Sequence, residues 1–260
     1  MAMRRERNSV LSITSTESVE EIEITSEAES LKVERLATAA TRKSVNGNNG
    51  NNGLKMAPPE EGMTEAVESF FDLALGELTK LRGGLDAEAI AEAAHLILEA
   101  ESHGGRVHVT GIGKSEHVAR YFASLLSSTG TPAYFLHATE CAHGSAGQVR
   151  ENDVTIAISN SGSTPELMFA VDVLRDLGIK IIAISSEPQS PLARVADVLI
   201  RIGIENEGGE LNLVPRVSVL AKIYVLCALS VALESHKGLT REQYARWHPG
   251  GNLGRIARGE

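Results

Sequence analysis

Polar and apolar positions fall into two regimes along the chain. Up to about residue 60, Ser, Thr, Glu and Asn prevail, and residues 46–53 read NGNNGNNG. A segment of that kind cannot bury enough apolar area to offset the entropy of ordering it, so residues 1–60 are expected to be a disordered low-complexity tail. A short helix over residues 26–40 and a docking role for the tail stay open. From Met63 the pattern turns periodic. Val67, Phe70, Phe71, Ala74, Leu75, Leu78 and Leu81 recur at helical spacing until Gly83 and Gly84. A second helix is predicted from Asp86 to about Ser102, ending at Gly104 and Gly105. Beyond it, short β-branched runs alternate with helical ones. Strands are predicted over residues 106–111, 132–136, 153–159, 180–185 and 198–202, and helices over 115–128, 165–177, 191–196, 217–235 and 240–245. The third strand, DVTIAIS, is nearly continuous in apolar residues, as a strand buried on both faces must be.

This alternation with short connections predicts an α/β fold: a doubly wound, mostly parallel five-stranded sheet with helices on both faces, formed by residues 61–260 as one domain. Ligands in such sheets bind beyond the carboxyl ends of the strands. The loops that matter are therefore those after Thr110, Leu136, Ser159, Ser185 and Ile202.

Charge and composition narrow the ligand. A net charge of −9 and an aromatic share of 4% argue against a nucleic-acid partner, which needs phosphate-neutralising cations and stacking rings. A small anion remains compatible, because a local nest of backbone N–H groups holds phosphate on an acidic protein. The two cysteines, Cys141 and Cys227, have no ligand-type spacing, so a disulfide framework or a structural zinc site is not expected and a reducing compartment is the default. No apolar run of the roughly 18 residues needed to span a bilayer is apparent, and the acids among residues 17–34 argue against a transit peptide. The expectation is a cytoplasmic protein with no membrane partner.

Two loops carry candidate chemistry. After the first strand comes Gly111-Ile112-Gly113-Lys114-Ser115, where glycines permit close backbone approach and a helix N-terminus points N–H groups at an anion. It lacks the third glycine of a dinucleotide fingerprint and the spacing of a P-loop, and a plain strand–helix turn is an equal alternative. After the third strand comes Ser159-Asn160-Ser161-Gly162-Ser163-Thr164-Pro165-Glu166. A helix cap by Ser163 or Thr164 needs one hydroxyl; four converge here, which favours a phosphate cradle.

Together the two loops resemble the sugar isomerase (SIS) domain family, and one branch in particular. GIGKSEHVAR, STGTP at residues 128–132, AHGSAG at 142–147, ISNSG at 158–162 and HPGGNLG at 248–254 are similar, in order and spacing, to arabinose-5-phosphate isomerases over about residues 63–258. The resemblance implies a catalytic set of Lys114, His143, Glu166, Glu207 and His248. It also implies phosphate binding by Gly113, Ser115, Ser159, Ser161, Gly162, Ser163 and Thr164. It implies no cofactor and no required metal, although His143 and His248 could capture one. It further implies a homo-oligomer, usually a tetramer, in which the His248 loop reaches a neighbouring subunit's site. The branch carries two CBS modules after this domain, and this sequence shows none before Glu260, as in short members. Three stretches depart from the pattern: Ser163 stands for the usual Glu, residues 138–140 for Pro-Gly-Glu, and residues 215–218 for a Thr/Ser-rich turn. Arg216 in the last of these is a possible substrate contact.

The implied reaction, ribulose 5-phosphate to arabinose 5-phosphate, moves a proton between adjacent carbons through a cis-enediol. It needs a base, a group that polarises the carbonyl and an acid–base partner that opens the ring. A loop position between small residues suits a functional role for His143, and His248, followed by Pro249 and two glycines, is expected in a rigid turn rather than on a helix face, whereas His108 reads as core or interface and His103, His117 and His236 as surface. Two alternatives stay open: an isomerase of another pentose or hexose phosphate, and a non-catalytic phosphosugar sensor. SIS domains also serve as ligand-binding modules of transcription regulators, but residues 1–60 lack the apolar spacing and basic surface of a helix-turn-helix.

Overall fold

A computed structural model describes residues 61–260; the expectations for residues 1–60 lie outside the described residues. In chain order the elements are α1 (Glu61–Gly84), α2 (Ala87–Ser102), β1 (Val107–Gly111), α3 (Lys114–Ser128), β2 (Ala133–Phe135), two 3-10 turns (Thr139–His143 and Ser145–Gln148), β3 (Val154–Ile158), α4 (Pro165–Asp176), β4 (Lys180–Ser185), α5 (Pro191–Val195), β5 (Val198–Arg201), α6 (Val217–Lys237), α7 (Arg241–Trp247) and α8 (Gly251–Arg258). The five strands form one sheet in the order β2-β1-β3-β4-β5, every pair parallel. The predicted fold class is therefore the observed one.

Alternation of side chains across the strands builds two cores. Val107, Val109, Val154, Ile156 and Ile158 share one cluster with Ile97 of α2, Phe122 and Leu126 of α3, and Val225 and Leu229 of α6. Ala157, Ile181 and Ala183 face the other way, onto Leu167, Ala170, Val171 and Leu174 of α4. Each large side chain sealed in this way contributes roughly 1.5–3 kcal/mol of burial. Local signals set the element ends as the chain chemistry demands. Asp86 Oδ1 accepts the amides of Glu88 and Ala89, capping α2, and Thr240 with Gln243 forms a capping box on α7.

Three features bear on the sequence expectations. The 3-10 turns after β2 and the helix α8 are too short and carry too few apolar residues to show a helical period. His248, expected off a helix face, lies just past the end of α7 as its C-cap residue, its ring stacked 3.9 Å from that of Tyr244. Finally, α6 is long and apolar enough, by length and composition, to cross a membrane, which corrects the expectation that no such run exists. Half of that stretch is buried within the domain, where Val217, Ala221, Val225, Leu226, Leu229 and Leu233 join the core.

Candidate functional site

The chain leaves β1 toward β2 on one side and β3 toward β4 on the other, so a crevice opens at the carboxyl ends of these adjacent strands. A cleft of about 380 Å³ occupies it, lined by Lys114, Ser115, Ser159, Asn160, Ser161, Thr164 and Glu207, with Ser218 and Lys222 on the α6 wall.

Backbone conformation fixes the two loops that flank the cleft. At Gly111 a side chain would meet the carbonyl of Ile158 at 3.0 Å and the backbone of Ser115 at 2.9 Å, so only glycine lets the β1–α3 turn lie against β3. Gly162 has φ +62°, and a Cβ there would run into Ser190. Ser159 Oγ accepts the Gly162 amide at 3.0 Å and lies 3.3 Å from Thr164 Oγ1; Ser163 Oγ donates to Ser161 Oγ at 3.2 Å. The Asn160 carbonyl accepts from the amide and hydroxyl of Ser186 and from the hydroxyl of Ser185, which ties the loop to the end of β4.

The helix starts decide between cap and cradle. Thr164, at the N-cap of α4, makes no side-chain cap hydrogen bond, and Gly113, at the N-cap of α3, has no side chain to make one. Two helix N-termini thus flank one cleft without a side-chain cap, each offering amide donors and a positive dipole end to an anion.

Glu207 comes from the loop between β5 and α6. Its Oε2 accepts the amides of Arg216 at 2.7 Å and Ser218 at 2.9 Å, at the start of α6. Burial alone would raise its pKa, but hydrogen bonds from Ser218 and Arg216 and the nearby Lys222 charge lower it, so it stands as a carboxylate. The loop itself is pinned from α1. Buried Glu77 accepts the amides of Glu205 and Asn206 and the Asn206 side chain.

The remaining expected residues lie outside the cleft lining. Gly162 and Ser163 belong to the loop behind it, and Gly113 to the turn beneath Lys114. Glu166 is exposed in the first turn of α4, and His143 is exposed in the turns after β2. Arg216 does not face the cleft: its guanidinium donates to the Gly208 carbonyl at 2.9 Å and braces the loop. His248 stands at the far end of the sheet, because Trp247 packs on Gly130, just before β2, and Lys237 at the end of α6 bonds there too. The 21 residues of α6 run from the cleft to that end, about 30 Å at 1.5 Å per residue. Within one chain His248 cannot reach the cleft.

Lys222 and Glu77 were missed by the sequence reading. Lys222 is 2% exposed on α6, one turn beyond Ser218 on the same face. Burial draws its pKa down to about 8 against the opposing influence of Glu207.

Known proteins bear on this geometry. Residues 102–233 match the SIS domain. The arabinose 5-phosphate isomerase KdsD of Francisella tularensis is 41% identical over 193 residues, 74% of this chain and 58% of that protein. KdsD of Pseudomonas aeruginosa is 42% identical over 164 residues, 63% of this chain and 49% of that protein. The chain thus spans only about half the length of these curated relatives. Among solved structures, that of E. coli CFT073 c3406 in complex with arabinose 5-phosphate superimposes with a TM-score of 0.66 at 32% identity, covering 74% of this chain and 100% of that one. Sheet order, the paired helix starts and these similarities agree: the chain belongs to the SIS domain family.

Proposed function

We propose that this domain interconverts the aldose and ketose forms of a sugar phosphate, with D-ribulose 5-phosphate and D-arabinose 5-phosphate as the first pair to test. The observation that carries the reading is the pair of helix N-termini without side-chain caps on either side of one hydroxyl-lined cleft. The phosphoryl group sits on Ser159, Ser161 and Thr164 and the amides at the start of α4, with Ser115 and the Lys114 ammonium closing from α3. Its carbon chain then points at the Glu207 side of the cleft. The names of the relatives, and the arabinose 5-phosphate bound to c3406, support this choice of ligand.

Isomerisation passes one proton between adjacent carbons through a cis-enediol and returns the substrate's own hydrogen count, so it calls for no redox cofactor. Lys114, His143, Glu166, Glu207 and His248 are the groups assigned to it. Since His248 lies a helix length from its own cleft, a neighbouring copy supplies it, in a homotetramer. An exposed apolar stripe on α1, formed by Met63, Val67, Phe71 and Leu75, offers area for such contacts. The cytoplasm, where sugar phosphates are made and consumed, is the proposed compartment, and residues 61–260 are the proposed isomerase domain.

A panel of pentose and hexose phosphates in deuterium oxide tests the reading. Solvent deuterium entering C2 of one pair, and dependence of that exchange on Lys114 and His143, is expected. No exchange with any sugar phosphate would leave a binding domain and end the isomerase reading.

A further inference from the structure

The cleft holds a cation that the phosphate does not need. Lys114 is exposed at its mouth, beside the α3 helix start, whereas Lys222 is buried in its α6 wall. Among the described residues, no hydrogen bond or ion pair engages the Lys222 ammonium. Nor is it sealed away: the buried side-chain polar atoms without a partner among the described residues are His108 Nδ1, Thr110 Oγ1 and Thr155 Oγ1, and Lys222 Nζ is not one of them. An ammonium that is neither partnered nor sealed, on a side chain lining the cleft, opens into the cleft. Leaving such a donor unpaired costs stability, so folding alone gives no reason for it.

We propose that Lys222 is a catalytic residue that binds the carbonyl oxygen of the substrate and carries the charge that develops there as the enediolate forms. The assignment rests on the isomerase reading. With the phosphoryl group at the α3 and α4 helix starts, the carbon chain runs across the cleft to the wall holding Ser218, Lys222 and Glu207. A lysine ammonium only donates, so its partner on a sugar phosphate is an oxygen, and the oxygen that gains most charge during the reaction gains most from it. When a base removes the proton from the carbon beside the carbonyl, the electron pair of that C–H bond forms the C=C bond and the carbonyl π pair moves to oxygen. Lys222 stabilises that oxyanion; a proton passes from the neighbouring hydroxyl to it, and the base returns its proton to the former carbonyl carbon. Atoms and charge balance over the cycle, and the amine forms no covalent bond. Glu207 on the adjoining loop keeps the amine protonated against the pull of burial, and Lys114 is the other ionisable group lining the cleft.

The test compares wild type with Lys222→Met and Lys222→Gln, which keep most of the volume without the charge. Expected is a fall in kcat of about 100-fold or more, as for loss of an oxyanion donor, with KM changed far less. Calorimetry on a hydroxamate analogue of the sugar phosphate, which mimics the planar enediolate, should show at least ~50-fold weaker binding, about the factor expected of a transition-state contact. The corresponding sugar-alcohol phosphate should bind both proteins within ~3-fold, because its affinity comes from the phosphate cradle. The melting temperature of Lys222→Met should equal or exceed that of wild type, whereas a structural lysine would lower it. Wild type turning over while both variants keep kcat within ~3-fold overturns the Lys222 assignment alone. Trapping of a lysine–sugar adduct by borohydride overturns its non-covalent form. Wild type turning over nothing fells the isomerase reading, and this assignment with it.

Discussion

Replacing Glu77 by Gln tests how the Glu207 loop is held. The Glu77 carboxylate is 4% exposed and takes hydrogen bonds from the amides of Glu205 at 2.9 Å and Asn206 at 3.3 Å, the Asn206 side chain at 3.0 Å and Lys80 at 3.2 Å. Burial by itself would raise its pKa; these donors outweigh burial and lower it from 4.5 to about 2. A depression of that size corresponds to about 3 kcal/mol, trimmed to about 2 because Lys80 is in water. Both carboxylate oxygens meet only donors, so glutamine keeps the shape but in either orientation turns an NH2 group toward donors, and a buried unsatisfied amide costs ~1–3 kcal/mol. Both routes give about 2 kcal/mol.

Urea unfolding of wild type and Glu77→Gln near neutral pH should therefore show that difference. Its pH dependence has a definite sign. The folded pKa lies below the unfolded one, so the stabilisation is complete above about 4.5 and is lost as pH falls toward 2. The gap between the two proteins should be constant near neutrality and narrow steadily below about pH 4.5. A gap under ~0.5 kcal/mol near neutral pH, or one that does not narrow in acid, would refute the reasoning. The loosened loop carries Glu207, so KM for the proposed sugar phosphate should rise as well.

Three further outcomes are expected. Gly162→Ala places a side chain at φ +62° against Ser190 and should cost about 1–3 kcal/mol while weakening inorganic phosphate binding, read by unfolding and calorimetry. Asp153→Ala strips a buried carboxylate from the amides of Arg106 and Arg150, the Arg106 guanidinium and His108 Nε2; the loss, about 3 kcal/mol, should lower Tm by roughly 10 °C in a thermal melt. On the proposed assignment, Lys114→Ala and His248→Ala, each inactive alone, should recover part of the turnover when co-expressed, because mixed oligomers rebuild some sites; no recovery would refute a site shared between copies.

Much of the fold was legible because strand and helix periods are strong in residues 63–245, and the β1 and β3 loops could be read from their glycines and hydroxyls. What escaped depends on partners distant in sequence. Glu77 sits at helical spacing with Phe70, Ala74 and Leu81, so an acid on an apolar face was visible as a pattern. The backbone amides that satisfy it lie in a loop beyond β5, which periodicity cannot find. Lys222 likewise interrupts the apolar run VSVLAKIYVLCALS, a position where a cation needs a reason. Helix α8 was hidden for the opposite cause: GNLGRIAR has few apolar residues, and its start rests on the turn geometry at Gly251.

An acidic chain with the proposed anion site poses an apparent conflict that the architecture resolves. Net charge acts over long range and is screened beyond roughly 8–10 Å at physiological salt, whereas amides at a helix start act at contact distance. Two such starts at the switch point between β1 and β3 offer the proposed phosphate contact donors that carboxylates farther off do not cancel. The cleft is built from residues 111–164, the loop pinned by Glu77 and the start of α6, all within one chain. His248, by contrast, is fixed to the opposite end of the sheet by Trp247 on Gly130. On the proposed assignment, phosphate recognition belongs to the single domain while the full catalytic set needs a second copy, so mutation should be able to remove one without the other.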